Sequence, residues 1–465
     1  VIPYTENIDK LKELVAEGNK VILISDMYLP KEVISKMIEK ADPILATLPL
    51  YLSNEHGIQK TTRKLFIKAY ADMDYNFKKW IHFGDSPVAD EKSPKLGIET
   101  INHKMDSFND YELMLIDKLR SYDSFIATAA MARKRLKLNS EDECNKELFA
   151  YSYASLYIVP YVAWAVKDAT KRGIKTLYFI SRDGYHLKRV ADAIIEVKGY
   201  NIKTKYIYGS RRAWRIPSFV TEIDDEFFTP FGNIANIKSF SSLLKAVDMS
   251  EKDFVEMFPE LAHLKEKSNY SGKLMADLRE KLSRSQNYKE YLLKRAAEER
   301  GIVLEYLRQE IDFDEKYAFL EYWGRGYTQD CLTRLLDEAA GRPLPDIFYY
   351  SRSIYKTSGN NIRYNFTTCN RSMIFIEAIF ANMPYKSVPG YKRVDGKVVP
   401  IINECDNDKE LHAALEKCLV EFAKDVYSQN LQDEDRMSND LFNFAMDYFS
   451  EFTEDPMLVI ISHTS

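Results

Sequence analysis

The sequence predicts an α/β protein: an incomplete doubly wound parallel sheet, followed by a second α/β domain with a helical insertion and a helical tail. Three observations carry that reading. Short unbroken apolar runs, such as those at 21–24 and 176–180, end abruptly in polar residues, the pattern of strands covered on both faces of a parallel sheet. Segments with apolar residues at helical spacing alternate with these runs. The alternation stops at a long helical region and then begins again, so two separate sheets are expected.

The elements follow in order. From Asn7 to Gly18, residues Ile8, Leu11, Leu14 and Val15 share a helical face, with Asn7 placed as N-cap and Gly18 as stop. The run 21–24 is a strand read as covered on both faces, and Pro30 opens a helix that turns Val33, Ile34, Met37 and Ile38 inward. Strands at 50–52, 80–83 and 98–101 alternate with helices at 61–70 and 91–96. A helical stretch covers about 111–161. The second series has strands at 176–180, 204–208, 318–322 and 347–350, with helices at 185–197 and 328–340. Residues 219–308 read as helical, and the tail 408–452 puts Leu411, Leu415, Leu419, Phe422 and Val426 on one face. The predicted organisation is therefore a first α/β core at 1–108, a helical connector at 109–160, a second α/β domain at 161–405 and a helical C-terminal segment at 406–465.

Composition bounds the function classes. At 465 residues, with 45% hydrophobic and 29% charged residues, the chain has material for two or three cores and is no disordered or repetitive polymer. A net charge of -5 gives no general attraction to nucleic acid or anionic membranes, so any anion site must be local. The apolar run 154–166 is interrupted by Pro160 and reads as a buried helix, so no membrane span is expected. Five scattered cysteines, with no CxxC spacing, support neither a disulfide framework nor a zinc site, and a reducing cytoplasm is the expected location.

In an open parallel sheet, ligands bind beyond the carboxyl ends of the strands. In the first core those positions hold Ser25 and Asp26, then Lys60 before a helix, then the turn from Gly84 through Asp85 to Asp90. A serine hydroxyl with neighbouring backbone N–H groups suits a phosphate oxygen, and a lysine neutralises developing negative charge. Two carboxylates on a tight turn suit a hard ion such as Mg2+. Ser25, Asp26 and Lys60 are thus read as phosphate-binding, Asp85 and Asp90 as metal-ligating, and Ser25, Lys60 and Asp85 as catalytic. Each has a plainer reading alone, as a helix cap, a solvated charge or turn chemistry.

The segments VILISDMYLP at 21–30, Lys60, and FGDSPVAD at 83–90 resemble the second, third and fourth motifs of the haloacid dehalogenase (HAD) superfamily, over about the first hundred residues. The resemblance implies a HAD-like Rossmannoid sheet, Mg2+ as cofactor and a phosphorylated small molecule or sugar phosphate as substrate. It also implies a nucleophilic aspartate in a DxD motif on a strand preceding these motifs, with a second aspartate as general acid/base. No such strand precedes them. Asp26 and Asp183 each follow a good strand but lack the partner aspartate. The chain, which opens at Val1, is therefore expected to be a fragment whose parent carries the nucleophile and cap.

The second domain places Arg182 and Asp183, Arg211 and Arg212, Glu321 with Arg325, and Arg352 after four successive strands. Guanidinium forks and helix N-termini at strand ends suit a phosphate or carboxylate, and the pattern is read as an anion site. The alternative is a set of structural salt bridges. Residues 377–380, with Pro384 and 387–391, are positioned to form a wall of that site, Glu377 being read as a helix-packing residue before a site residue, His186 as a packing residue before a catalytic one, and Trp214 and Trp323 as core residues before stacking surfaces. The segments FISRDGYHL, YGSRRAW, EYWGRGYTQ and EAIF with PGY resemble the C-terminal region of large bacterial HAD-type hydrolases associated with surface-polysaccharide assembly, over about 149–401. Three functional readings stand: a HAD-type phosphohydrolase with a second, anion-binding domain; a sugar or sugar-phosphate transferase; and a non-catalytic HAD-like scaffold.

Overall fold

The computed structural model describes residues 5–74, 76–92, 94–102, 108–138, 144–230, 232–234, 237–267, 270–323, 326–352, 361–368, 379–380, 382–404 and 407–462. The chain separates into two compact units, Val1–Lys118 with Thr128–Glu141, and Leu119–Ala127 with Asp142–Ser465.

The first unit opens with helix Thr5–Ala16, which starts before the predicted cap Asn7 and is followed by Gly18 in a left-handed turn at φ 84°. Strand β1, Leu23–Ser25, pairs in parallel with β2, Leu50–Leu52, and β3, Ile81–Gly84, pairs in parallel with β4, Glu99–Asn102. Among the described residues these are two separate two-stranded ladders, where the sequence predicted one sheet. The difference shows in burial. β1 is only half-buried, Ile81 and Phe83 are exposed, and Val33 of helix Lys31–Ala41 faces solvent while Ile34 is buried. A two-stranded ladder offers too little area to be sandwiched by helices, so the predicted two-sided cover of 21–24 and the inward Val33 are not realised. The predicted helix at 91–96 is a pair of 3-10 turns, Asp90–Lys92 and Pro94–Leu96.

The second unit is built on five parallel strands: β5 Thr176–Ile180, β6 Lys203–Ile207, β7 Tyr317–Leu320, β8 Ile347–Ser351 and β9 Asn361–Asn365. They lie side by side in the order β6-β5-β7-β8-β9, all parallel. β5 and β7 are buried at every position, as their unbroken apolar sequence requires. A hairpin, β10 Ser387–Val394 and β11 Lys397–Asn403, turns through Asp395 and Gly396, both at positive φ. That is the backbone of a two-residue hairpin turn with an Asp-Gly pair.

The core around the sheet is aromatic and aliphatic, with Tyr178, Phe319 and Tyr349 against Leu307, Leu332 and Leu336. The predicted helical insertion has its own core, including Phe227, Phe254, Leu282 and Tyr288. Four of its helices, Phe240–Val247, Glu251–Met257, Gly272–Arg284 and Gln286–Glu310, each start from a serine whose side chain accepts a backbone N–H: Ser239, Ser250, Ser271 and Ser285. Each such cap contributes about 1 kcal/mol and fixes where its helix begins. The tail helix Lys409–Tyr427 buries Leu411, Leu415, Leu419, Phe422 and Val426, as predicted, and packs on helix Gly184–Lys198. The stretch Lys146–Lys171 is long and apolar enough to cross a membrane, and most of it is buried inside this unit.

Candidate functional site

In the first unit the residues at the strand ends are drawn together by Lys60. Its backbone N–H donates to both oxygens of Asp26, at 2.8 and 3.1 Å, which fixes the loop after β2 to the end of β1. Its ammonium donates to Asp90 Oδ1 at 2.8 Å. Asp90, 2% exposed, also meets His82 Nε2 at 2.8 Å through Oδ1 and the Ser86 N–H at 2.9 Å through Oδ2. Burial alone would push the Asp90 carboxyl up. The bonds from Lys60, His82 and Ser86 outweigh it and hold the group below the usual carboxylate range. His82 is the converse: burial lowers it more than Asp90 raises it, so the neutral ring donates Nε2–H to the carboxylate.

The glycine of the turn has a mechanical role. A Cβ on Gly84 would lie 2.1 Å from Asp90 Oδ2, so only glycine lets the carboxylate fold back under the turn. Ser25, half-buried at the end of β1, and Asp85, exposed on the turn, have side chains with no hydrogen bond or ion pair among the described residues. The predicted roles of Asp85 and Asp90 therefore separate. Asp90 has both oxygens engaged and serves to hold Lys60 in place, while Asp85 is the carboxylate open to a further ligand. No group of three or more His, Cys, Asp or Glu side chains among the described residues is arranged to hold a metal ion by itself. Mg2+ commonly takes only one or two protein carboxylates, with water and substrate oxygens completing its shell, and Asp85 fits that use.

In the second unit, counting strands along the chain from β5, the sheet order is 2-1-3-4-5. Its topological switch point falls between β5 and β7, where ligands of such sheets bind. Asp183 and Glu321 stand there. Asp183 Oδ2 accepts the Trp323 N–H at 3.2 Å, and Glu321 Oε1 accepts Gln329 Nε2 at 2.6 Å. Burial raises the Asp183 carboxyl against the pull of Arg182 and the Trp323 and Tyr322 N–H groups. Burial, and then the charge of Asp183, push Glu321 up to about 8. The two carboxyls thus behave as a pair that retains a proton near neutral pH.

The predicted arginines part company. Arg182 is half-buried beside Asp183, and Arg211 is exposed at the start of the short helix Arg211–Trp214. Arg212 pairs with Asp248 at 3.2 Å, the contact that the structural salt-bridge alternative calls for. Arg352 is fully buried, and Arg325 and Glu377 lie outside the described residues. His186 is buried, bonded through Nε2 to the Asn382 carbonyl and lowered to about 4 by burial, which makes it a neutral packing residue. Trp214 is core: its Nε1–H donates to the Tyr391 hydroxyl at 2.8 Å. Trp323 carries the Arg352 guanidinium 4.8 Å above its ring.

Sequence reasoning missed His82, Gln329, Arg215 and Arg363. Arg363 on β9 donates to Gln329 Oε1 and Asp330 Oδ1, each at 2.6 Å, and so orients the amide that holds Glu321. Arg215 donates to Thr328 Oγ1, and burial pulls it down to about 10. No protein-family model matches the chain, and no curated protein matches it.

Proposed function

We propose that the first unit is the phosphoryl- and Mg2+-handling part of a HAD-type phosphohydrolase acting on a phosphorylated small molecule. The observation that supports it is the placement of Lys60. A buried ammonium is tied through its own backbone to Asp26 and through Nζ to Asp90, at the carboxyl ends of β1 and β3. An ammonium has three protons to donate, so bonding to Asp90 leaves capacity for a phosphoryl oxygen. Ser25 offers a hydroxyl at the same sheet edge, and Asp85 would hold Mg2+, which when bound supplies charge neutralisation and Lewis acidity. None of these residues is a suitable nucleophile for an aspartyl-phosphate route; they bind and orient.

Asp90, with both oxygens bonded, also supports a second reading, a purely structural ion-pair cluster in a non-catalytic scaffold. Calorimetric titration of the whole chain with inorganic phosphate separates the two. Under the proposal a Mg2+-dependent component of phosphate binding is present, D85N removes its Mg2+ dependence, and Lys60→Met weakens it at least tenfold. Absence of any Mg2+-dependent component, or its survival in both variants, would leave only the scaffold.

A further inference from the structure

Arginines and carboxyls of the second unit meet at the carboxyl ends of β5, β6 and β7, where hydrogen bonds between the loops hold them. Ser181 Oγ donates to the Gly209 carbonyl at 2.6 Å and accepts the Gly209 N–H at 2.8 Å, which clasps the loop carrying Arg182 and Asp183 to the one carrying Arg211. Asp183 in turn accepts the Trp323 N–H, two residues beyond Glu321. Arg215 donates through Nε and Nη2 to Thr328 Oγ1, at 3.1 and 3.0 Å, next to the Gln329 that holds Glu321. Solvent reaches this group of side chains: Arg182, Asp183, Glu321 and Thr328 are half-buried, and Arg211 is exposed.

The cations there outweigh the anions. Among the described residues the Arg182 and Arg211 side chains have no hydrogen bond or ion pair, and Arg215 bonds to neutral oxygens, those of Thr328 and Asn233. Burial raises Asp183 against the charges of Arg182 and Arg211. Burial, and then the charge of Arg211, lower Arg215 to about 10, which leaves it charged at neutral pH. Three guanidiniums therefore face a carboxyl pair that keeps one proton, an excess of two positive charges. A phosphate monoester near neutral pH carries nearly that charge with the opposite sign, and its oxygens match guanidinium forks.

The carboxyls add a second specificity. Gln329 Oε1 accepts Arg363 Nε–H at 2.6 Å, which fixes the amide so that its Nε2 faces Glu321 and donates to Oε1. Among the described residues Oε2 of Glu321 has no hydrogen bond, so a proton on Glu321 belongs there and points away from Gln329. A protonated carboxyl beside an ionised one offers a donor and an acceptor, and an alcohol hydroxyl is a group that uses both.

We infer that the second unit binds the phosphate monoester of a small polyol, its phosphate on the Arg182 and Arg211 guanidiniums and a hydroxyl on the Asp183 and Glu321 carboxyls. Arg215, buried behind them, contributes charge without contact. The position, beyond the strand ends at the switch point, is where open parallel sheets take their ligands. The site does not depend on the phosphohydrolase reading of the first unit.

The test is calorimetric titration of the whole chain, without Mg2+, with glycerol 3-phosphate and with ethyl phosphate, a monoester that has no hydroxyl. Both are titrated into the wild type, a Lys60→Met chain and an Arg182→Gln/Arg211→Gln chain. The expected result is a binding component that survives Lys60→Met, favours glycerol 3-phosphate over ethyl phosphate about tenfold, and weakens at least tenfold in the double arginine variant. That variant is expected to unfold at no lower temperature than the wild type, because neither arginine has a partner to lose, so the weakening reports the site and not the fold. Absence of a component in the Lys60→Met chain, or its undiminished presence in the double arginine variant, overturns the inference. Equal affinity for the two esters overturns the hydroxyl contact to Asp183 and Glu321.

Discussion

Replacing Glu321 with Gln converts a titrating carboxyl into a permanently neutral amide of nearly the same shape. Its oxygen can still accept from Gln329, whose Nε2 lies 2.6 Å from Glu321 Oε1. Burial and the charge of Asp183 move Glu321 from an ordinary value of 4.5 to about 8. The folded protein therefore holds a proton that the unfolded chain releases. The resulting stability is complete below about 4.5 and is lost as pH rises through about 8. At about 1.4 kcal/mol for each tenfold difference in proton affinity, the ceiling is about 5 kcal/mol, and relaxation and coupling to Asp183 reduce it. Urea unfolding of both chains between pH 5 and 9 measures the effect. The wild type is expected to lose stability across that window, and Glu321→Gln to lose markedly less and be the more stable chain at pH 8.5. Parallel profiles for the two chains would refute the buried carboxyl pair.

Other substitutions probe the packing that positions the sites. Lys60→Met leaves Asp90 buried with His82 and a backbone N–H but no cation, and is expected to cost about 3 kcal/mol of stability in the first unit, most of it recovered in a Lys60→Met/Asp90→Leu double variant, as denaturant titration will show. Gly84→Ala forces a methyl into the Asp90 carboxylate and is expected to cost about 1–3 kcal/mol; a loss under 0.5 kcal/mol, on the order of an ordinary surface change, would contradict the turn geometry. Ser285→Ala removes the cap of the longest helix of the insertion and is expected to cost about 1 kcal/mol by the same measurement.

What the sequence disclosed follows from where the signals were strong. Unbroken apolar strands such as 176–180, and the five-residue apolar face of the tail helix, are written in one residue type and were readable to within a residue or two. β9 was not, because Asn361–Asn365 alternates polar residues and has no apolar run, and Arg363 was lost with it. The β10–β11 hairpin carried a usable signal, Asp395-Gly396 between extended segments, obscured by Pro389 and Gly390 in the first strand. Strand-end positions singled out Lys60 for phosphate and Asp90 for a metal ion, but not the ion pair that the two form with each other. His82 was missed because it sits inside the strand, where only the ends were inspected. Among the described arginines, position after a strand told where each stands but not which partner it meets: Arg212 found Asp248, while Arg352 is buried against the rings of Tyr322 and Trp323 and bonds through Nη1 to the Tyr157 hydroxyl.

The most direct test of the first unit's role is anomalous diffraction from crystals of the whole chain grown with Mn2+ and phosphate. The account predicts a manganese peak at coordination distance from an Asp85 oxygen, with a phosphate within reach of Lys60 Nζ and Ser25 Oγ. Ordered phosphate bound elsewhere in the unit, or a well-resolved Gly84–Asp90 turn with no ion at Asp85 under saturating Mn2+, would contradict it.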